Sequence, residues 1–217
     1  MKHSPTEKNT EASVQKARNQ PVRYGVSLLT EDDLYLFNEG SHYRLYERLG
    51  AHPLTVEDVA GTYFAVWAPN ARQVSVVGDF NRWHTSSHLL RPRGQSGIWE
   101  GFIPGVGKGA VYKYHVVSKH RDYQVDKADP IAFFSEVPPK TASVVWDLDY
   151  AWQDQEWMEK RQGPNALNAP FAIYEAHLGS WMRVPEEGAR PLTYNELAPK
   201  LAEYVQRMGF THVEFLP

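Results

Sequence analysis

In this sequence of 217 residues, the groups that could do chemistry are few and scattered. His115 and His120 are spaced like a possible metal-ligand pair, but one lies near a turn and no carboxylate completes a set, so no metal site is expected. Asp147-Leu148-Asp149 has the D-x-D form by which many nucleotide-sugar transferases hold a metal; the string is common by chance, and no nucleotide-binding pattern accompanies it. Gly105-Val106-Gly107-Lys108-Gly109 looks superficially like a phosphate loop. The first glycine needed five positions before Gly107 is Phe102, and no Ser or Thr follows Lys108, so a hairpin turn is expected instead. The acidic pairs Asp32-Asp33 and Glu186-Glu187 fit a helix start and a solvated loop. Flat aromatic surface, by contrast, is plentiful: Trp 7 and Tyr 12 are high for this length, and such faces suit both cores and the stacking of sugar rings.

Composition narrows the function classes. A formal net charge of −3, with Lys and Arg scattered along the chain, supplies no basic field for nucleic acid. No stretch approaches the apolar length of a membrane span, and the basic residues of Met1–Arg23 are not followed by an apolar segment of the signal-peptide kind. Cys is absent, which leaves no disulfide framework or thiolate metal site and is compatible with the cytoplasm, the expected compartment. No cofactor is implied.

The pattern along the chain predicts a mainly β protein. Met1–Arg23 is polar with almost no apolar periodicity, and a disordered tail is expected over 1–29. Thr30, with Glu31, Asp32 and Asp33 behind it, resembles a capped helix start and opens a helical lead-in over 30–61. From Thr62 the period becomes two, and short strands separated by Gly-, Pro- and Asn-rich turns predict an antiparallel, immunoglobulin-like β-sandwich over 62–150. Trp67 and Trp146 are expected in its core, and Trp99 in the core or in interdomain packing rather than on a ligand. A linker over 151–170 leads to a β-α-β unit over 171–217. In that unit Phe171–Leu178 predicts a buried strand, and Leu197, Leu201, Val205 and Met208 share one helical face. Thr193 and Glu196 have capping-box spacing, while Pro199 predicts a short first turn with the main helix starting at the proline. Gly209 should end it, and Thr211–Leu216 should form the second strand. Fewer than 50 residues follow Phe171, and a (β/α)₈ barrel takes roughly 250, so only a truncated barrel start is expected.

Several ordered strings carry a family resemblance. Val74-Ser75-Val76-Val77-Gly78-Asp79-Phe80-Asn81-Arg82-Trp83, then Gly97-Ile98-Trp99-Glu100, then Tyr112-Lys113-Tyr114 resemble the glucan-binding modules that precede catalytic barrels in the α-amylase superfamily. Asp126-Lys127-Ala128-Asp129-Pro130 is similar to that module as it occurs in branching enzymes. Ile173-Tyr174-Glu175-Ala176-His177-Leu178-Gly179-Ser180-Trp181 resembles the first barrel strand of bacterial-type glycogen (1,4-α-glucan) branching enzymes, and Gly209 to Pro217 resembles the superfamily's second strand.

The resemblance implies cleavage of α-1,4 bonds and formation of α-1,6 bonds in glycogen synthesis, with retention of configuration. Retention takes a carboxylate nucleophile and an acid/base about 5–5.5 Å apart. In the family these lie on later barrel strands, so no catalytic residue is assigned within this chain, which alone should catalyse nothing. Its implied partners are α-1,4-glucan, as glycogen or maltooligosaccharides, and the rest of its own catalytic barrel. The implied glucan-binding residues are Trp83, stacking on a glucose ring, and Lys113, bonding sugar hydroxyls; the bland alternatives are a Trp packed at the sandwich edge and a solvated strand Lys. Tyr123 lies roughly where a second stacking aromatic would be expected. His177 and His212 are expected to be neutral, hydrogen-bonded strand residues. Two other readings stay open: a non-catalytic glucan-binding module, and the front of a related debranching or trehalose-releasing hydrolase.

Overall fold

The computed structural model describes residues 21–121, 123–161, 163 and 168–217. The chain divides into two compact units between Asp149 and Tyr150.

In the first unit strands begin earlier than the alternating pattern suggests. β1 (Gly50–Val56) and β2 (Val59–Trp67) make an antiparallel hairpin closed where Val56 faces Val59. After them come β3 (Ala71–Gly78), β4 (Arg91–Pro92), β5 (Ile98–Pro104), β6 (Val111–Ser118), β7 (Gln124–Lys127), β8 (Phe134–Ser135) and β9 (Ser143–Val144). One antiparallel sheet has the order β1-β2-β5-β4; the other runs β3-β6-β9-β8, with β7 also on β6. Phe64 and Val66 of β2, with Trp99 and Ile103 of β5, meet Val74 and Val76 of β3 and Tyr112 and Tyr114 of β6 in one buried cluster. The two sheets therefore form a sandwich.

The first sheet is covered on its outer face as well. Tyr63 and Ala65 of β2 and Ile98 and Phe102 of β5 bury against Leu29 and Leu49, with Leu34 and Phe37 of helix α1 (Glu31–Glu39) packed alongside. A strand covered on both faces loses its hydrophobic alternation, and β5 is buried along its whole length. This covering corrects two expectations. Residues 1–20 of the expected tail lie outside the described residues, but 21–29 are part of the fold: Arg23 exchanges backbone hydrogen bonds of 2.8 and 3.0 Å with Phe102, and Val22 and Leu29 are buried. The lead-in over 30–61 is helical only in its first part, at α1 and a 3₁₀ turn over Leu45–Glu47, since β1 and the start of β2 pair along the sheet.

Gly105 to Gly109 is not a hairpin turn, because β5 and β6 lie in different sheets and the segment crosses between them. Gly105 and Gly109 both have positive φ, 76° and 89°, a region costly for other residues. Of the two placements expected for Trp99 the structure gives the core, with its indole N–H donating to the Ala68 carbonyl at 3.1 Å. Trp67 and Trp146 are not in it. Trp67 ends β2 and is 55% exposed, its ring meeting that of Phe37 near-perpendicularly with centroids 5.9 Å apart.

The start of α1 is more than a solvated cap. Thr30 and Asp33 form the capping box, and the buried Asp33 carboxylate also meets His42 Nε2 at 2.8 Å and accepts from Arg48 Nε at 3.1 Å. Burial alone would push this carboxyl up; the Thr30 N–H, His42, the Thr30 hydroxyl and Arg48 outweigh it and hold the group well below the usual carboxylate range. A pKa lower in the folded chain than in the unfolded one contributes stability above the ordinary value of about 4, lost as pH falls below it. The melting temperature should therefore drop as pH is lowered from about 5 towards 2, and Asp33→Ala should flatten that limb in melts followed by circular dichroism. An identical slope in the variant would rule out this network as its origin.

In the second unit, helix α2 (Gln155–Lys160) stands inside the expected linker, of which residues 162 and 164–167 lie outside the described residues. β10 (Ile173–His177) is followed by the short helix α3 (Leu178–Trp181), a two-residue-strand hairpin of β11 (Arg183–Val184) and β12 (Arg190–Pro191), helix α4 (Tyr194–Met208) and β13 (His212–Leu216). β10 and β13 pair in parallel, Ile173 with His212 through His177 with Leu216. α4 is one helix with Pro199 inside it, not a turn followed by a helix. The Thr193–Glu196 capping box fixes its start, and Pro199 removes only the bond to the Asn195 carbonyl, one turn in. Leu197, Leu201 and Ala176 are buried, and Tyr174 packs against Tyr204 and Phe210. The rest of β10 and β13 is largely exposed, where a buried strand was expected; His177 and His212 are exposed and hydrogen-bonded to Ser180 and Thr211.

Candidate functional site

Trp83 is placed by a loop that the end of β3 builds. Gly78 is followed by a 3₁₀ turn over Asp79–Asn81, and Arg82 and Trp83 then both take positive φ, 53° and 58°. Asn81 locks the turn: its side-chain oxygen accepts from Gly78 N–H at 3.0 Å, and its amide donates to the Val76 carbonyl at 2.9 Å. Phe80 anchors the loop in the core. Trp83 returns to the strand end, its backbone N–H donating to the Gly78 carbonyl at 2.9 Å and its indole N–H to Asp79 Oδ1 at 2.8 Å. The indole donor is thus committed, and what a ligand meets is the ring, 38% exposed.

Lys113 lies on the neighbouring strand. Val77 pairs with Lys113 and Gly78 with Tyr112, so the strand end that holds Trp83 is in register with the first residues of β6. Tyr112 and Tyr114 point into the core, and alternation puts Lys113 on the outer face. Its ammonium donates to Thr141 Oγ1 at 2.8 Å. Next on that face His115 meets the Asp126 carboxylate at 2.7 Å, across the pair that β6 and β7 make. The carboxylate that sequence spacing did not supply comes from the adjacent strand. Among the described residues no group of three His, Asp or Glu side chains could hold a metal.

Tyr123 is not brought to this site. Val117 pairs with Gln124, which puts Tyr123 beyond the far end of β6 from Lys113. Asp147 is paired with Lys108 at 2.9 Å. Thr141 was missed because it lies 28 residues from Lys113 in sequence and no motif joins the two. An open groove of about 680 Å³ between Pro53, Val59, Gly61 and Gly105 includes neither Trp83 nor Lys113. The candidate residues gather at one strand end: the half-exposed Trp83 ring on the loop after β3, and the Lys113 amine with the Thr141 hydroxyl on the adjoining strand's outer face. That combination complements a pyranose, which has an apolar C–H face and a rim of hydroxyls.

Residues 48–132 match the family Carbohydrate-binding module 48 (Isoamylase N-terminal domain). The chain is 50% identical over 209 residues to the 1,4-alpha-glucan branching enzyme GlgB of Roseobacter denitrificans, covering 96% of this chain and 28% of that protein. It is 56% identical over 197 residues to the enzyme of the same name from Gloeobacter violaceus, covering 90% and 27%. Among solved structures, Klebsiella pneumoniae pullulanase complexed with maltotriose superposes with a TM-score of 0.54 at 26% identity, over 86% of this chain and 18% of that one. The chain is homologous to the N-terminal region of the 1,4-alpha-glucan branching enzymes, and it spans little more than a quarter of the length of those two relatives.

Proposed function

We propose that this chain is the glucan-binding front of a 1,4-α-glucan branching enzyme, acting in glycogen synthesis in the cytoplasm. Its sandwich holds an α-1,4-glucan chain by the Trp83 ring and the Lys113 ammonium, and the β-α-β unit over 171–217 is the start of the (β/α)₈ barrel that performs transfer. The observation that carries the binding role is the fixed Trp83: its backbone and indole N–H groups are both satisfied internally, leaving a held, half-exposed face for a sugar ring. Identity of 50% and above to branching enzymes, against 26% to the pullulanase, favours branching over debranching. Among the described residues no helix is long and apolar enough to cross a membrane.

Titration of the 217-residue chain with maltoheptaose tests the reading. Trp83→Ala should lower affinity by about tenfold, a loss of one stacking contact, while the melting temperature stays close to that of the parent. Undiminished affinity in the variant would remove Trp83 from the site. The chain alone should form no α-1,6 linkages, because the retaining pair of carboxylates belongs to later barrel strands; measurable branching by the purified chain would refute this.

A further inference from the structure

The outer face that carries Lys113 does not end there. Val111 lies two residues before Lys113 on the same side of β6; Val144 pairs with Val111 and Phe134 with Val144, so the row runs outward across β9 to β8. Trp146 lies two residues beyond Val144 and points the same way. Instead of sitting in the core, it stacks on Phe134, with ring centroids 5.1 Å apart and planes 33° apart. Both rings reach solvent, Phe134 at 48% and Trp146 at 37% exposure. The Lys108 ammonium lies 4.3 Å from the centre of the indole and bonds Asp147 at 2.9 Å.

We propose that Phe134 and Trp146 form a second sugar-stacking platform, continuous with the Trp83–Lys113 site and taking a later unit of the same α-1,4-glucan chain. The proposal rests on the glucan-binding reading of that site. Asp79, which holds the Trp83 indole, follows Gly78 and continues the Val111–Val144–Phe134 row at the β3 edge. Asp79, whose carboxylate holds the Trp83 indole, and Phe134 therefore stand three strand spacings, about 14 Å, apart across one face. A chain of several pyranose units bridges such a span; a disaccharide does not. Lys108 packs Trp146 from one side and Phe134 flanks it, so the platform is ordered before a ligand arrives. The solvent side of Phe134 is free for a sugar's C–H face, and the Lys108–Asp147 pair stands at the rim where hydroxyls would be.

The test is calorimetric titration of the full 217-residue chain with maltose and with maltoheptaose. Phe134→Ala and Trp146→Ala should each weaken maltoheptaose about fivefold or more and leave maltose unchanged, whereas Trp83→Ala should weaken both. Phe134→Tyr keeps a stacking ring and should bind like the parent. If Trp146→Ala melts early, Phe134→Ala decides alone, since this half-exposed ring leaves no core cavity behind. Full maltoheptaose affinity in Phe134→Ala, or equal weakening of both sugars, overturns the second platform while leaving Trp83 in place. Failure of the parent chain to bind either sugar overturns both readings.

Discussion

Asp129→Ala should destabilise the sandwich by about 3 kcal/mol or more, the largest single loss expected from any side chain outside the apolar core. Asp129 is buried, with one carboxylate oxygen accepting from the hydroxyls of Tyr112 at 2.6 Å and Tyr114 at 3.2 Å and the other from Ile131 N–H at 2.8 Å. Alanine would leave the Tyr112 hydroxyl unpaired in a dry core and Tyr114 with only a 3.4 Å contact to the Ala65 carbonyl. Burial first, and then the Asp129 charge, push both phenols well above their ordinary pKa, so they remain donors. Burial also pushes the Asp129 carboxyl up, against the hydrogen bonds that oppose it. A raised carboxyl contributes stability at low pH that fades as pH rises through its folded pKa, the opposite sign to Asp33. Asp129→Asn keeps the volume and one acceptor, so its denaturant midpoint should lie between those of the parent and Asp129→Ala. Equal midpoints for parent and Asp129→Ala would show that the tyrosines find other partners.

Asp129 also marks where sequence reading stops. The sandwich was legible because its turns and alternating runs are local, and Trp83 and Lys113 stood out as candidates because they belong to motifs. The cover on the first sheet was not. Residues 21–29 carry Val22, Tyr24, Val26, Leu28 and Leu29, too short a run to stand out beside the polar tail, and only the fold puts Val22 in the cluster between the sheets and Leu29 with Tyr63 and Phe102 on the outer face. Asp33 was legible as a helix-start residue, but its partners His42 and Arg48 come from beyond the helix. Trp146 illustrates the same limit from the other side. Its alternation with the buried Val145 fixes the face it points to, yet no spacing says that this face is open and that Phe134 arrives beside it through β9. Pro199 misled because a proline is a strong local signal, and a capping box one turn earlier is enough to contain it.

The second large effect links fold to site. Gly78→Ala should weaken both stability and glucan affinity, where Trp83→Ala weakens affinity alone. Gly78 is extended, so the objection to alanine is space: a Cβ there would lie 2.1 Å from the Val111 carbonyl oxygen and 2.6 Å from the Phe80 ring. The first of these is backbone at the start of β6, which cannot rotate away, so the end of the β3–β6 ladder must separate. Overpacking of this kind destabilises by about 1–3 kcal/mol or more. The same glycine accepts from the Trp83 N–H and donates to Asn81, so separation releases the turn that fixes the indole. Maltoheptaose affinity should fall at least as far in Gly78→Ala as in Trp83→Ala, under conditions where the variant is still folded. If Gly78→Ala melts several degrees lower but binds maltoheptaose as the parent does, the loop holds Trp83 without the strand end, and the close approach at Gly78 serves the sandwich alone.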